Sequence, residues 1–171
     1  MKHLYLVRHA KSSKDIPDIT DIERPLNKRG LRDSRLMGRR LKKKGITVDA
    51  IYSSPAKRAL ATAKRLAEEI GVPRRDIVTV KSLYRANVLK LMAAIKQIAD
   101  TAETAMIFGH NPEFLNLANY LTPRLIVKFP TSGVLGVDFN VNSWKKVTRK
   151  SGRVAFFDYP KKKNKPPKEL L

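Results

Sequence analysis

Two of the three histidines in this 171-residue chain follow aliphatic runs, and each sits beside groups suited to holding an anion. His9 closes "LYLVRH" next to Arg8, and His110 closes "TAMIFGH" next to Asn111. A third stretch of similar character is "YSSPAKR", where Arg58 lies about one helical turn beyond two serines and a proline. Two guanidinium groups and two imidazoles suit a tetrahedral dianion, because arginine meets phosphate oxygens bidentately. A neutral imidazole is also a competent nucleophile near neutral pH. Phosphoryl transfer is the chemistry these residues could perform together. Singly, each has a plainer reading: Arg8 as a strand-end charge, Arg58 as a helix-surface residue, His110 as part of a turn.

Joint placement therefore decides the matter, and the surrounding pattern predicts it. Residues 3–7 read as a buried strand. A helix is expected over 27–44, with Asn27 as its cap and Gly45 as its stop, and with Gly30, Ser34, Met37 and Leu41 on one stripe. A short strand should end near Ser53, after which Ser54 caps and Pro55 opens a helix running to Ile70. "DIVTV" reads as a strand, and 88–99 as a helix with Val88, Met92, Ile95 and Ala99 aligned. "TAMIFGH" is a further strand, "NPEFLNLANYL" a second cap-plus-proline helix, and "VLGVDF" and "RVAFFDY" the last strands. Strands alternating with helices predict an α/β fold, a three-layer α/β/α sandwich around a mostly parallel sheet. Ligands bind such sheets beyond the carboxyl ends of the strands, where all three stretches arrive.

Composition narrows the class. Thirty-six Lys and Arg against fifteen Asp and Glu give a formal charge of +21, a field that draws anionic substrates inward. Specific nucleic-acid binding is not expected, since aromatic residues are 7% and no basic–aromatic platform appears. The chain has no cysteine, which excludes disulfides, thiol catalysis and thiolate ligands. No apolar run approaches a membrane span and the start lacks a signal-peptide pattern, so a cytoplasmic protein without membrane contact is expected. One domain over 1–160 is anticipated, followed by a basic, flexible tail, "KKKNKPPKELL", over 161–171.

Four ordered motifs carry a family resemblance: Arg8–His9; "D..RPL..RG" with Asp21, Arg24, Pro25, Leu26, Arg29 and Gly30; "SSPAKRALATA" at 53–63; and "GHNP" at 109–112. From about Lys2 to Phe157 the chain resembles the histidine phosphatase, or phosphoglycerate-mutase-like, superfamily. It is most similar to the small branch typified by bacterial phosphohistidine phosphatases acting on phosphorelay proteins. The resemblance implies a phosphoglycerate-mutase-like fold and a phosphatase with His9 as nucleophile. Arg8, Arg58 and His110 would hold the phosphoryl oxygens, and Lys11 and Asn111 would assist in binding substrate. No cofactor and no metal are implied. The expected partner is a phosphohistidine protein or, alternatively, a small phosphate ester, with phosphate or sulfate able to fill the same place. A monomer or weak dimer is anticipated.

The pattern departs from the family at two points. Ala10 stands where many relatives have glycine. Larger members also use a carboxylic acid to protonate the leaving oxygen, and here "SLYRAN" offers Arg85 in that region. Tyr84 reads as packing, and Asp21 as a structural residue holding Arg24. A phosphoramidate needs little help in leaving, because its nitrogen can be protonated beforehand, so the missing acid favours phosphohistidine.

Overall fold

The structure, a computed structural model, describes residues 1–162. The tail expected over 161–171 lies almost wholly outside the described residues. Six strands form one sheet: β1 (Lys2–Arg8), β2 (Ala50–Ser53), β3 (Ile77–Thr79), β4 (Thr104–Gly109), β5 (Val134–Phe139) and β6 (Gly152–Asp158). Their order is β3-β2-β4-β1-β5-β6. The first four are parallel to one another, while β5 pairs antiparallel with β1 and β6 antiparallel with β5 at one edge.

Alternation along the strands splits the core into two layers. Leu4 and Leu6 of β1 join Ala105 and Ile107 of β4 on one face, beneath α3 (Val88–Lys96) and α4 (Glu113–Leu121). Val7, Met106 and Phe108 point to the other face, covered by α1 (Lys28–Lys43) and α2 (Lys57–Ile70). Burying a side chain such as Leu6 or Phe108 stabilises the fold by about 1.5–3 kcal/mol. The three-layer sandwich is thus present, with all four helices committed to covering the sheet.

Helix starts differ from expectation in two places. α2 begins at Lys57, because Ala56 is still extended at φ −58°, ψ 134°. Ser54 therefore caps no helix; its hydroxyl accepts from the Ala56 N–H at 3.2 Å and is drawn to His110. α4 begins at Glu113 with no side-chain cap; Asn111 Oδ1 accepts from no backbone N–H, while its NH2 group donates to the Phe129 carbonyl at 3.0 Å. α3 is also shorter than predicted and stops at Lys96, leaving Ala99 exposed in the turn that leads to β4. By contrast α1 is capped as expected, with Asn27 Oδ1 accepting from the Gly30 N–H at 2.9 Å. Gly45, with φ +73°, follows its end.

The expected small stripe on α1 is buried at Gly30, Ser34, Met37 and Leu41. Gly30 is needed for an approach to the loop after β1: a Cβ there would lie 2.1 Å from the Lys11 carbonyl oxygen. At the far edge, Arg40 of α1 donates to Asp158, to the Tyr159 carbonyl and to the Pro160 carbonyl, which ties the end of β6 and the residues just after it to α1.

Candidate active site

Register brings the separated motifs together. β1 and β4 pair so that Arg8 is opposite Gly109, which sets His9 and His110 side by side just past the strand ends. Their ring centroids are 5.2 Å apart, and each residue is 8% exposed. β2 completes the row: the Ser54 N–H donates to the Phe108 carbonyl at 3.0 Å, and the Ser54 hydroxyl lies 2.7 Å from His110 Nε2. Arg58 is buried in the first turn of α2. The third histidine, His3, lies at the other end of β1 and pairs with Asp138.

The tautomer of His9 follows from its partner. Nδ1 lies 2.8 Å from the Ala10 carbonyl, which can only accept, so Nδ1 carries the proton and Nε2 keeps its lone pair. Burial pushes the His9 imidazole down to about 3; the Ala10 hydrogen bond opposes this, while His110, Arg58 and Arg8 add to it. Burial, and then Arg58, push His110 down to about 4. Both rings are neutral at pH 7. Desolvation exceeds the field of the arginines as the cause.

Each arginine is held by a different loop. Arg8 donates to the Phe129 carbonyl at 2.9 Å, the same oxygen that receives the Asn111 amide. The Ser132 N–H in turn donates to the Arg8 and His9 carbonyls at 3.1 and 3.2 Å, so the 129–132 segment brackets the end of β1. Arg58 is held by Asp21, donating to its carbonyl at 2.7 Å and to Oδ2 at 3.1 Å.

Asp21 is a hub. Arg24 donates to its Oδ1 at 3.0 Å and the Tyr84 hydroxyl to its Oδ2 at 2.6 Å. The Tyr84 bond first, then those from Arg24 and Arg58, hold this carboxyl well below the usual carboxylate range. Asp21 is an ionised acceptor with no proton to give. Its hold on Arg24 was expected; its bond to Tyr84 was not. Tyr84 does more than pack, since its ring also meets His110 edge-on at 5.6 Å.

Thr62 is the other link that residue types alone do not reveal. It accepts from the Ala10 N–H at 2.9 Å and donates to the Arg58 carbonyl at 2.7 Å, so the first and third motifs share one hydroxyl. The available signal was a buried polar residue four positions after Arg58. Lys11 is half-buried on the loop beyond His9, with its carbonyl accepting from the Asn27 N–H at 3.0 Å. Among the described residues, Arg8 Nε, Arg58 Nε, Arg65 Nε, His110 Nδ1, Asn111 Oδ1, Glu113 Oε2 and Ser132 Oγ are buried polar atoms without a protein partner. Those of Arg8, Arg58, His110, Asn111 and Ser132 belong to the segments bordering the histidine pair.

The histidine phosphatase superfamily (branch 1) matches residues 4–83, the stretch that holds Arg8, His9, Asp21, Arg24 and Arg58. An uncharacterized protein of Mycobacterium leprae is 30% identical over 167 residues, covering 91% of this chain and all of its own length. This chain belongs to the histidine phosphatase superfamily. His110 falls outside the matched stretch, yet similarity of fold extends across it. The protein histidine phosphatase SixA complexed with tungstate superposes with a TM-score of 0.80 at 21% identity, over 92% of this chain and 97% of that one. A SixA-type protein of Agrobacterium tumefaciens gives 0.79 at 25% identity, over 93% and 98%. In this histidine phosphatase superfamily member the two neutral imidazoles lie side by side just past the ends of β1 and β4. No described helix is long and apolar enough to cross a membrane, and the described residues contain no group of three His, Cys, Asp or Glu suited to a metal.

Proposed function

We propose that this protein is a cytoplasmic phosphatase that removes the phosphoryl group from phosphohistidine in a protein by way of a phosphohistidine intermediate on His9. The observation that carries the reading is His9 itself, a neutral ring whose proton is fixed on Nδ1 and whose Nε2 is free. In the first step Nε2 bonds to phosphorus as the bond from phosphorus to the substrate's ring nitrogen breaks. In the second, water bonds to phosphorus, the P–Nε2 bond breaks, and phosphate departs. Arg8, Arg58 and His110 hold the equatorial oxygens, whose charge they stabilise as transfer proceeds. For His110, a Ser54 hydroxyl that accepts from Ala56 and donates to Nε2 leaves Nδ1–H as the donor to the anion. Lys11 supplies a rim cation. The arginines provide positive charge without a metal.

Two features support the choice of substrate. The Asp21 carboxyl is held ionised, so it cannot protonate a poor alkoxide leaving group, whereas phosphohistidine protonated on its other ring nitrogen departs as a neutral imidazole. Among the described residues the loops after β1, β2 and β4 carry most of the site, with Arg58 from the first turn of α2, and no inserted domain stands over the histidine pair to keep a protruding protein side chain out.

The test compares hydrolysis of a phosphohistidine peptide, para-nitrophenyl phosphate and a sugar phosphate by the wild type and His9→Ala. The wild type should favour the peptide and trap an acid-labile, base-stable phosphoryl label that His9→Ala does not form. Unchanged activity in His9→Ala would remove the nucleophile assignment. Preference for the sugar phosphate would overturn the substrate class.

A further inference from the structure

Beside the histidine pair, on the outer face of α1 and α2, lies a groove of about 430 Å³. Its floor is apolar, formed by Pro25, Leu31, Pro55 and Leu60, and its rim carries Lys57, Lys64 and Arg65. No acidic residue lines it. Leu31 is among the exposed large hydrophobic residues of the chain.

Three residues lining the groove are chain neighbours of residues that form the site. Pro55 follows Ser54, whose hydroxyl meets His110. Lys57 precedes Arg58, and Pro25 follows Arg24, so both walls are set by residues one position from the Asp21 hub's partners. Anything reaching His9 from a larger molecule has this groove as a neighbouring surface.

Its positive charge is poorly compensated. Arg65 Nε is buried without a protein partner, and its Nη1 reaches only the Ala61 carbonyl, at 3.2 Å. Burial first, then repulsion from Arg35 and Arg74, pushes the Arg65 guanidinium down from its ordinary value, against the attraction of Glu68. Clustered cations of this kind weaken one another, and an anion laid among them relieves the strain. Nearby apolar side chains would gain from covering the floor.

From this combination we infer that the groove docks an acidic segment of the phosphoprotein substrate, with apolar side chains between its carboxylates. Carboxylates meet Lys57, Lys64 and Arg65 while the apolar residues cover Pro25, Leu31, Pro55 and Leu60. The inference rests on the phosphoprotein reading above and specifies which phosphoproteins the site prefers. Docking contributes binding without taking part in the bond changes, so it is read in KM for docked substrates only.

The test uses two phosphohistidine peptides of equal length, one flanked by alternating Glu and Leu and one by Lys and Ser, with para-nitrophenyl phosphate as a small reference. In Lys57→Glu/Lys64→Glu, kcat/KM for the acidic peptide should fall by at least ~10-fold, mostly through KM, while the small ester changes less than ~2-fold. Measurement at physiological salt, where screening acts over about 8 Å, keeps general steering out of the comparison. Equal losses on both substrates, or a wild type indifferent to the flanks, would overturn the docking site. Binding of the unphosphorylated acidic peptide to His9→Ala, followed by fluorescence anisotropy, separates this inference from the substrate class. Binding that Lys57→Glu/Lys64→Glu abolishes supports the groove even if phosphohistidine hydrolysis fails. No binding sinks it even if hydrolysis succeeds. Displacement of the peptide by single-stranded RNA at lower concentration than by the peptide itself would also overturn the protein reading.

Discussion

Asp21 and Arg58 are bonded twice, once through the Asp21 carbonyl and once through its carboxylate, although they stand 37 positions apart. The carboxylate fixes the guanidinium's orientation but also sets a negative charge beside the place where a phosphoryl group would bind. These two effects act in opposite directions on catalysis and on anion affinity. In Asp21→Asn, kcat should fall about 10-fold as Arg58 loses its hold, within the range seen for misplaced catalytic groups. Inorganic phosphate should bind no more weakly, since a repelling charge has gone. Steady-state kinetics with phosphate inhibition reads both, and a loss of phosphate affinity equal to the loss in kcat would contradict this account. Tyr84→Phe, which removes the 2.6 Å bond to Oδ2, should show a smaller version of the same split.

Acid should destabilise the protein through its two buried rings. An unfolded histidine takes up a proton as the pH falls through 6.5, whereas His110 and His9 resist until about 4 and about 3. The unfolded state therefore binds more protons in that window. Stability is whole above about pH 6.5 and is lost as the pH falls from there, by about 1.4 kcal/mol per pH unit for each proton. The depressed Asp21 carboxyl adds loss of the same sign, but only below the ordinary carboxylate range. Urea unfolding at pH 7, 6 and 5 should show a falling midpoint, with a shallower slope in His110→Asn. Identical slopes in the two proteins would mean that His110 is not the buried neutral group described.

How much of this was readable in advance follows the range of each interaction. The strand ends carrying Arg8–His9 and His110 were legible, because aliphatic runs and their stops are local and the β1–β4 register then follows from burying both faces. Helix stripes were legible for the same reason. Helix starts at Ser54 and Asn111 were misread because both side chains form tertiary bonds, to His110 and to the Phe129 carbonyl, in place of local caps. In the sequence Tyr84 reads as packing, because its carboxylate partner lies 63 positions away. Such pairings have no period or spacing to betray them.

Gly30 tests the seam between the first loop and α1. Alanine is the better helix former by about 1 kcal/mol, so propensity alone predicts a gain. A Cβ at this position would sit 2.1 Å from the Lys11 carbonyl oxygen, which is also bonded to the Asn27 N–H. Relieving that clash means moving backbone two residues from His9. Gly30→Ala should lose about 1–3 kcal/mol by chemical denaturation and lose activity as well. A stabilised variant would show that the close approach is not needed.

Thr62 offers the sharpest separation of stability from positioning, because one hydroxyl serves two catalytic segments at once. It satisfies the Ala10 N–H immediately after His9 and returns its proton to the Arg58 carbonyl. Thr62→Val keeps shape and burial but leaves the Ala10 N–H without a partner, a cost of about 1–3 kcal/mol. If the hydroxyl also positions His9, kcat should fall beyond what the unfolded fraction explains, while KM changes little. Thr62→Ser, which retains the hydroxyl and removes only a methyl group, should recover kcat before it recovers stability. The decisive measurement is kcat at a temperature where all three proteins are fully folded. Equal kcat in the wild type and Thr62→Val would reduce Thr62 to an ordinary core contact.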